Sequence, residues 1–518
     1  LVSTVGGAIG TVSGSGATYT VPVTGVSGTG TIGLNLVNNN SIKDLATNTL
    51  AGTTFTGQTC TVDTVPPTVV SINRIGSGDT AVISFSEPIT GLVLADLTLQ
   101  RDNATVPLTG TTLANSGNNN WSLSGLSAIT SAVGQYTLTL APTGIADLVG
   151  NALVAGRSTS WLNSTLTDSV SSDSITISRN NTSITITSNS IPAYTTPIAD
   201  FASTPLVVGV AAASTLTLDF SSGSPVPTAG LTYQALAGGG DSLRITGTSA
   251  ANALTVNPSQ VLVDSSTITC SSVASLTLAS PGAVIPLASL TIGPSAQLGL
   301  AAGKKLFQIG GLAIGNGASL DMADNDMVLA YSASSTVANV RQLLFNGIIG
   351  TTPSIFSSVS VVSGHPTGMA MVDNQTLHLS QWSNVPIATG NNFQQVILKF
   401  TYRGDNNLDG KVTAADYLNI VGSFGQSGTG YFGGDLDYDN LVTASDLALV
   451  SQNLGAGDTS GAPMLSAAAD PAAMSAAIKT APAAITAAGK PVAHPAKPAT
   501  VHKQPKPKAK AKPQLHRK

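Results

Sequence analysis

A segment of about twenty-two residues that repeats itself sets the tightest limit on what this chain can fold into. SLTIGPSAQLGL (289–300) aligns with GLAIGNGASLDM (311–322), pairing Leu290 with Leu312, Ile292 with Ile314 and Leu298 with Leu320. One period earlier, TITCSSVASLTL (267–278) brings Ile268, Cys270, Leu276 and Leu278 into register, and RITGTSAANALTV (244–256) fits as a fourth copy after a one-residue slip. A unit with two short apolar strands and a small-residue turn cannot bury its own hydrophobic face, so it has to stack on its neighbours. The expectation is a set of β-solenoid rungs over 244–322, with Cys270 as an inward, buried thiol.

A longer repeat precedes it. SIKDLATNTLAG (41–52) recurs as GIADLVGNALVAG (144–156), so that Ile42, Asp44, Leu45, Asn48 and Leu50 map onto Ile145, Asp147, Leu148, Asn151 and Leu153 at an offset of 103. A period near 100 built from short alternating strands such as AVISFS (81–86) and QYTLTL (135–140) predicts β-sandwich modules. DTVPPTV (63–69) joins the copies as a stiff linker. The repeat divides the chain into a module at 66–165 and a shortened one at 1–65, the expected C-terminal part of a longer array. SFSEPITGLVLADLTL (84–99) with ADLVGNAL (146–153) resembles the bacterial Ig-like repeats of large secreted surface proteins.

Composition supports strands over helices. Charged residues make up 9% of the 518, against roughly 25% in ordinary globular proteins. Glu87 is the single glutamate beside 25 aspartates, and there are 53 glycines. No window approaches the roughly 18 apolar residues of a spanning helix. The net charge of −4 hides a split, because residues 471–518 hold ten basic residues and no acidic one. That leaves 12 basic against 26 acidic in the first 470, a net of −14. The Ala/Pro/Lys-rich segment 459–518 reads as a disordered basic tail with affinity for anionic polymers. Cys60 and Cys270, 210 positions apart, give no disulfide framework.

Between the sandwich and the tail, 166–400 reads as one β-rich domain. SITISRNNTSITIT (174–187) predicts a hairpin, and TVANVRQLLFNG (336–347) predicts a capping helix that stops at Gly347. Gly28, Gly30 and Gly33 satisfy a G-x-G-x-x-G pattern with no helix after it, which makes a glycine-rich hairpin rather than a nucleotide site. A glycosidase needs two converging carboxylates, and the readable strands supply none. The chain therefore reads as no enzyme; were it one, it would be a hydrolase or lyase acting on polysaccharide.

The chemistry-bearing motif lies at 401–458. DNNLDGKVTAAD (405–416) and DLDYDNLVTASD (435–446) both fit a twelve-residue cation loop. Side-chain oxygens stand at positions 1, 3 and 5, namely Asp405, Asn407 and Asp409, then Asp435, Asp437 and Asp439. Lys411 and Leu441 would contribute backbone carbonyls at position 7, Thr413 and Thr443 would hold a ligating water at position 9, and Asp416 and Asp446 would close the shell. Gly410 and Asn440 supply the turn at position 6. Each loop runs into a short helix, while VILKFTYR (396–403) is a strand, so the entering helix of an ordinary EF-hand is missing.

GDNNLDGKVTAADYLNIVGSFG (404–425) and GDLDYDNLVTASDLALVSQNLG (434–455) are similar to the tandem calcium repeats of type I dockerins. The resemblance implies two calcium ions on these twelve residues and a cohesin-like or cell-envelope partner for 404–455. In that family positions 10 and 11 are usually Ser or Thr and face the cohesin; here they are Ala414 and Ala415, then Ala444 and Ser445. The expected fold class is mainly β: Ig-like sandwiches, a solenoid-like domain, a small α dockerin or EF-hand-like pair, and the tail. The expected function is a secreted, non-catalytic structural or adhesive cell-surface protein. The alternative is a non-catalytic, dockerin-bearing component of a polysaccharide-degrading complex.

Overall fold

The structure is a computed structural model that describes residues 1–457 except 76–77, 191–192, 237–238, 272–274, 281 and 388–391. The basic tail expected at 459–518 lies outside the described residues. The chain is mainly β, and among the described residues no helix is long and apolar enough to cross a membrane.

Residues 69–163 form two four-stranded antiparallel sheets around one core. Strand Gly134–Leu140 shows why, since Tyr136, Leu138 and Leu140 alternate inward with threonines between them. Ile72, Ile83, Leu99 and Leu123 meet them from the other strands. The preceding residues 1–65 also form antiparallel strands, but no hydrophobic side chain among them is buried. The 103-residue repeat recurs in the backbone pairing of the two copies. Leu50 N donates to Ile42 O and Leu153 N to Ile145 O, both at 2.9 Å. Lys43 bridges Thr49 as Ala146 bridges Ala152.

From Thr165 onward an eight-stranded and a nine-stranded sheet are paired mostly in parallel. The 22-residue period is visible in their registers: Leu290 lies beside Leu312, Ile292 beside Ile314, Leu298 beside Leu320 and Leu278 beside Leu300. Two details differ from the sequence reading. The last three repeats carry a third strand, because Val284–Leu287, Leu306–Ile309 and Asp326–Ala330 build a third sheet that also pairs in parallel. Ile268, moreover, does not lie under Leu290. The segment Ala253–Asn257 and Gln260–Val263 folds into a hairpin between their strands, and Leu254 takes the place beside Leu290. Asn257-Pro258-Ser259-Gln260 is a turn signal strong enough to break the simple stacking. Cys270 is buried, with its thiol pushed up to about 11 by that burial.

The hairpin expected at 174–187 is present as Ser174–Asn180 against Ser183–Thr187. Helix α1 (Val337–Ile349) starts at the Thr336 cap and buries Val340 and Leu344, but it runs through Gly347 and ends at Gly350, which has φ of 73°. Gly347 serves close approach instead: a Cβ there would stand 2.2 Å from the Ile355 carbonyl oxygen. In the third sheet Gln395–Tyr402 runs antiparallel between Asp326–Ala330 and His365–Asp373. This last strand is buried along its whole length and delivers the chain into the first acidic loop.

Candidate metal centre

Two loops and two helices, α2 (Ala414–Ser423) and α3 (Ala444–Asn453), complete the described chain and are related by a pseudo-twofold arrangement. Val412 N donates to Ala456 O and Gly455 N to Val412 O; on the other side Val442 N donates to Gln426 O and Gly425 N to Val442 O. Each loop is thus tied to the segment that follows the opposite helix. Gly404 and Gly434 begin the loops with φ of 107° and 102°. A Cβ on Gly404 would stand 2.8 Å from the Val450 Cα, and one on Gly434 3.1 Å from Ile420 of α2. Leu408, Val412, Ile420, Leu436, Tyr438, Val442 and Val450 continue the hydrophobic core of the stacked sheets.

The loop geometry follows the sequence closely. Position 6 is left-handed in both, with φ of 86° at Gly410 and 77° at Asn440. Position 4 is left-handed as well, at Leu408 and Tyr438, a feature sequence reasoning missed although both residues are large, buried and equivalent. Asp405 is fully buried; its Oδ1 accepts from Asp409 N at 3.0 Å, and its Oδ2 accepts from Gly410 N at 3.0 Å and from the Thr401 hydroxyl. Asn407 Oδ1 accepts from Asp409 N, and Asp409 Oδ1 from Lys411 N, both at 2.9 Å. Buried Lys399 stands behind this loop and donates to the Leu408 carbonyl at 2.9 Å.

In the second loop, single carboxylate oxygens of Asp435, Asp437 and Asp439 lie within 4.8 Å of one another. Asp435 is fully buried, its Oδ2 is paired with Arg341 of α1, and its Oδ1 has no hydrogen-bond partner. Asp439 Oδ1 accepts from Leu441 N at 2.9 Å.

The position-12 residues sit at the third residue of their helices. Asp416 accepts from Asn406 N, Asn407 N and Thr413 N, and Asp446 from Leu436 N, Asp437 N and Thr443 N. Each therefore closes its loop and caps its helix through reciprocal bonds with Thr413 or Thr443. Burial pushes the carboxyls of Asp416 and Asp446 upward, and that of Asp405 up to about 7. Such carboxyls ionise at neutral pH when a cation compensates them. The donors offered are all oxygens, and the buried orphan Asp435 Oδ1 points to a missing positive partner, so the residues fit a hard cation.

Sequence reasoning missed a second acidic group. Asp63, Glu87 and Asp147 present carboxylate oxygens within 4.8 Å of one another where the linker meets the 69–163 sheets. Asp147 Oδ1 takes the amides of Val149, Gly150 and Asn151, and Asn151 Nδ2 bonds both Asp147 Oδ2 and the Asp63 carbonyl. Partial burial, then the Asp63 and Asp147 charges, raise the Glu87 carboxyl. The repeated Asp-Leu-x-x-Asn turn was the signal available, since Asp44 and Asn48 make the same bonds in the first copy.

Helix α2 turns Tyr417, Leu418 and Val421 outward, and Phe424 just beyond its end is also exposed, with Leu418 at 65% and Phe424 at 54%. Leu441 and Leu454 are exposed too. Ala414, Ala415, Ala444 and Ser445 also face solvent.

No family model and no curated protein matches the chain. Two solved fragments of titin are similar at 13% identity and a TM-score of 0.11: the I-band fragment I67–I69 and the E-to-A variant of the same three Ig domains. They cover 24% and 25% of this chain, which spans 44% of each fragment.

Proposed function

We propose that this chain is a secreted, non-catalytic structural or adhesive surface protein that binds calcium through loops 405–416 and 435–446. The carrying observation is a pair of oxygen-lined, symmetry-related loops whose position-1 aspartates are fully buried. In this reading the antiparallel sheets of 69–163 are an Ig-like spacer and the stacked turns of the parallel sheets a β-solenoid stalk. The loop–helix pair is a dockerin-like module seated on the end of that stalk. The alternative, a non-catalytic component of a polysaccharide-degrading complex, is favoured by the outward apolar face of α2, which suits a cohesin-like or cell-envelope partner.

Calcium titration of the chelated full chain tests the proposal. Binding to the folded form alone stabilises it by about 2.7 kcal/mol at a hundredfold excess over Kd. Calcium should raise the unfolding midpoint of the C-terminal loops, and Asp405→Asn with Asp435→Asn should remove the shift. Identical unfolding curves with calcium and with chelator would sink the reading.

A further inference from the structure

We propose that Arg341 is the resident cation of the second loop, so that this loop takes up calcium only by displacing it and binds more weakly than the first. The inference rests on the calcium reading above.

Arg341 lies on α1, 99 residues before its partner Asn440. Its Nη2 pairs with Asp435 Oδ2, and its Nη1 donates to Asn440 Oδ1 at 2.7 Å. These are positions 1 and 6 of the loop. In the first loop position 1 is held instead by the Asp409 and Gly410 amides and the Thr401 hydroxyl, and position 6 is Gly410, which offers no side chain. Lys399, the cation behind that loop, bonds the Leu408 carbonyl rather than a ligand side chain. Two departures of the second loop therefore belong together: Asn replaces Gly at position 6, and a guanidinium arrives to use it.

Charge points the same way. The second loop carries four carboxylates at its side-chain positions, Asp435, Asp437, Asp439 and Asp446, whereas Asn407 leaves the first with three. One guanidinium takes the second set from −4 to −3, as buried Lys399 takes the first from −3 to −2, so each loop has one basic side chain behind it. A planar fork bonded at two points is well suited to that task. It leaves Asp435 Oδ1 buried and unpartnered, so the site keeps an oxygen for a stronger cation. A divalent ion at that oxygen would repel the guanidinium beside it, and one of the two must go.

The test is calorimetric titration of the full chain with calcium, alongside Arg341→Gln and Asp405→Asn. The unmutated chain should show two steps at least tenfold apart in affinity. Asp405→Asn should delete the tight step. Arg341→Gln should tighten the weak step at least tenfold and leave the tight one within twofold. Hydrogen exchange of the unmutated chain gives a readout that needs no variant to fold: amides of Val337–Ile349 should lose protection in the second step alone. Two equal steps that Arg341→Gln leaves unchanged, or an α1 indifferent to calcium while both loops fill, would overturn the inference and leave the calcium reading standing. No uptake by either protein overturns the calcium reading, and this inference with it.

Discussion

The first acidic loop is backed by a strand of its own sheet, and the second is held from the side by a helix almost a hundred residues earlier. Lys399 and Thr401 reach the first loop from the strand that leads into it, four to nine residues from their partners. Arg341 reaches the second across 94 residues. At position 4, Leu408 is purely apolar, whereas the Tyr438 hydroxyl donates to the Met369 carbonyl at 3.0 Å. Two motifs identical at six of twelve positions are thus wired into the body of the protein in different ways. The acidic side chains come from the motif; the support comes from whatever the tertiary fold places behind it.

The largest effect that would sharpen this contrast is expected at Lys399. Its ammonium is buried, near the Trp382 ring and electrostatically coupled to Asp326 and Asp405. Lys399→Met should destabilise the fold by on the order of 3 kcal/mol, because two buried carboxyls lose their compensating charge. Chemical unfolding measures it, and a loss under about 1 kcal/mol would show that the first loop does not depend on its strand.

Next come the paired glycines. Gly404→Ala drives a Cβ to 2.8 Å from the Val450 Cα, while Gly434→Ala meets Ile420 at 3.1 Å, a milder overlap. Both require positive φ, so each should cost about 1–3 kcal/mol, with Gly404→Ala the costlier. The reverse order would show that the first loop accommodates a methyl group more easily than the second.

The Asp326 carboxyl is pushed up to about 6 by burial, against its ordinary 3.8. Between those values the folded chain binds more protons than the unfolded one, so stability falls as pH rises from about 4 to 6 and the term is fully adverse above that. The slope from this group reaches about 1.4 kcal/mol per pH unit. Asp326→Asn should reduce the total slope by that contribution, as unfolding midpoints across pH 4–7 would report, while the raised carboxyls of Asp405, Asp416 and Asp446 keep the remainder. A slope left unchanged by the substitution assigns it entirely to those other carboxyls.

The smallest effect concerns the second loop alone. Tyr438→Phe loses one buried hydrogen bond and should cost about 1 kcal/mol. It should also weaken calcium uptake in the second loop and spare the first, which paired titrations would detect.

Much of this was legible in the sequence. The two twelve-residue acidic loops, the missing entering helix and the left-handed position 6 follow from residue types alone. So do the strand alternation of 135–140 and the 22-residue register, because each is local or strictly periodic. The third strand of the last three repeats was not legible: LFQI (306–309) and DMVLA (326–330) lie outside the segments that repeat. The 253–263 hairpin was hidden because its strands mimic a rung. The Arg341 contact and the Asp63–Glu87–Asp147 group were invisible for another reason, since folding alone brings such distant residues together. Gly347 shows the opposite error, a residue read as a local stop that is required by a neighbour.

Asp326 has a bearing on how the chain is made. Its carboxylate waits for Trp382 Nε1, 56 residues on, and for the Phe400 amide, 74 residues on. At about 5–20 residues per second, a ribosome needs roughly 4–15 s to supply that amide. During that interval the strand Asp326–Ala330 can already lie on Leu306–Ile309, yet its other edge is open and its carboxylate has no donor. The growing stack therefore carries an unpaired, apolar edge until Gln395–Tyr402 arrives, and in the nascent protein this is the place where a wrong strand would be captured.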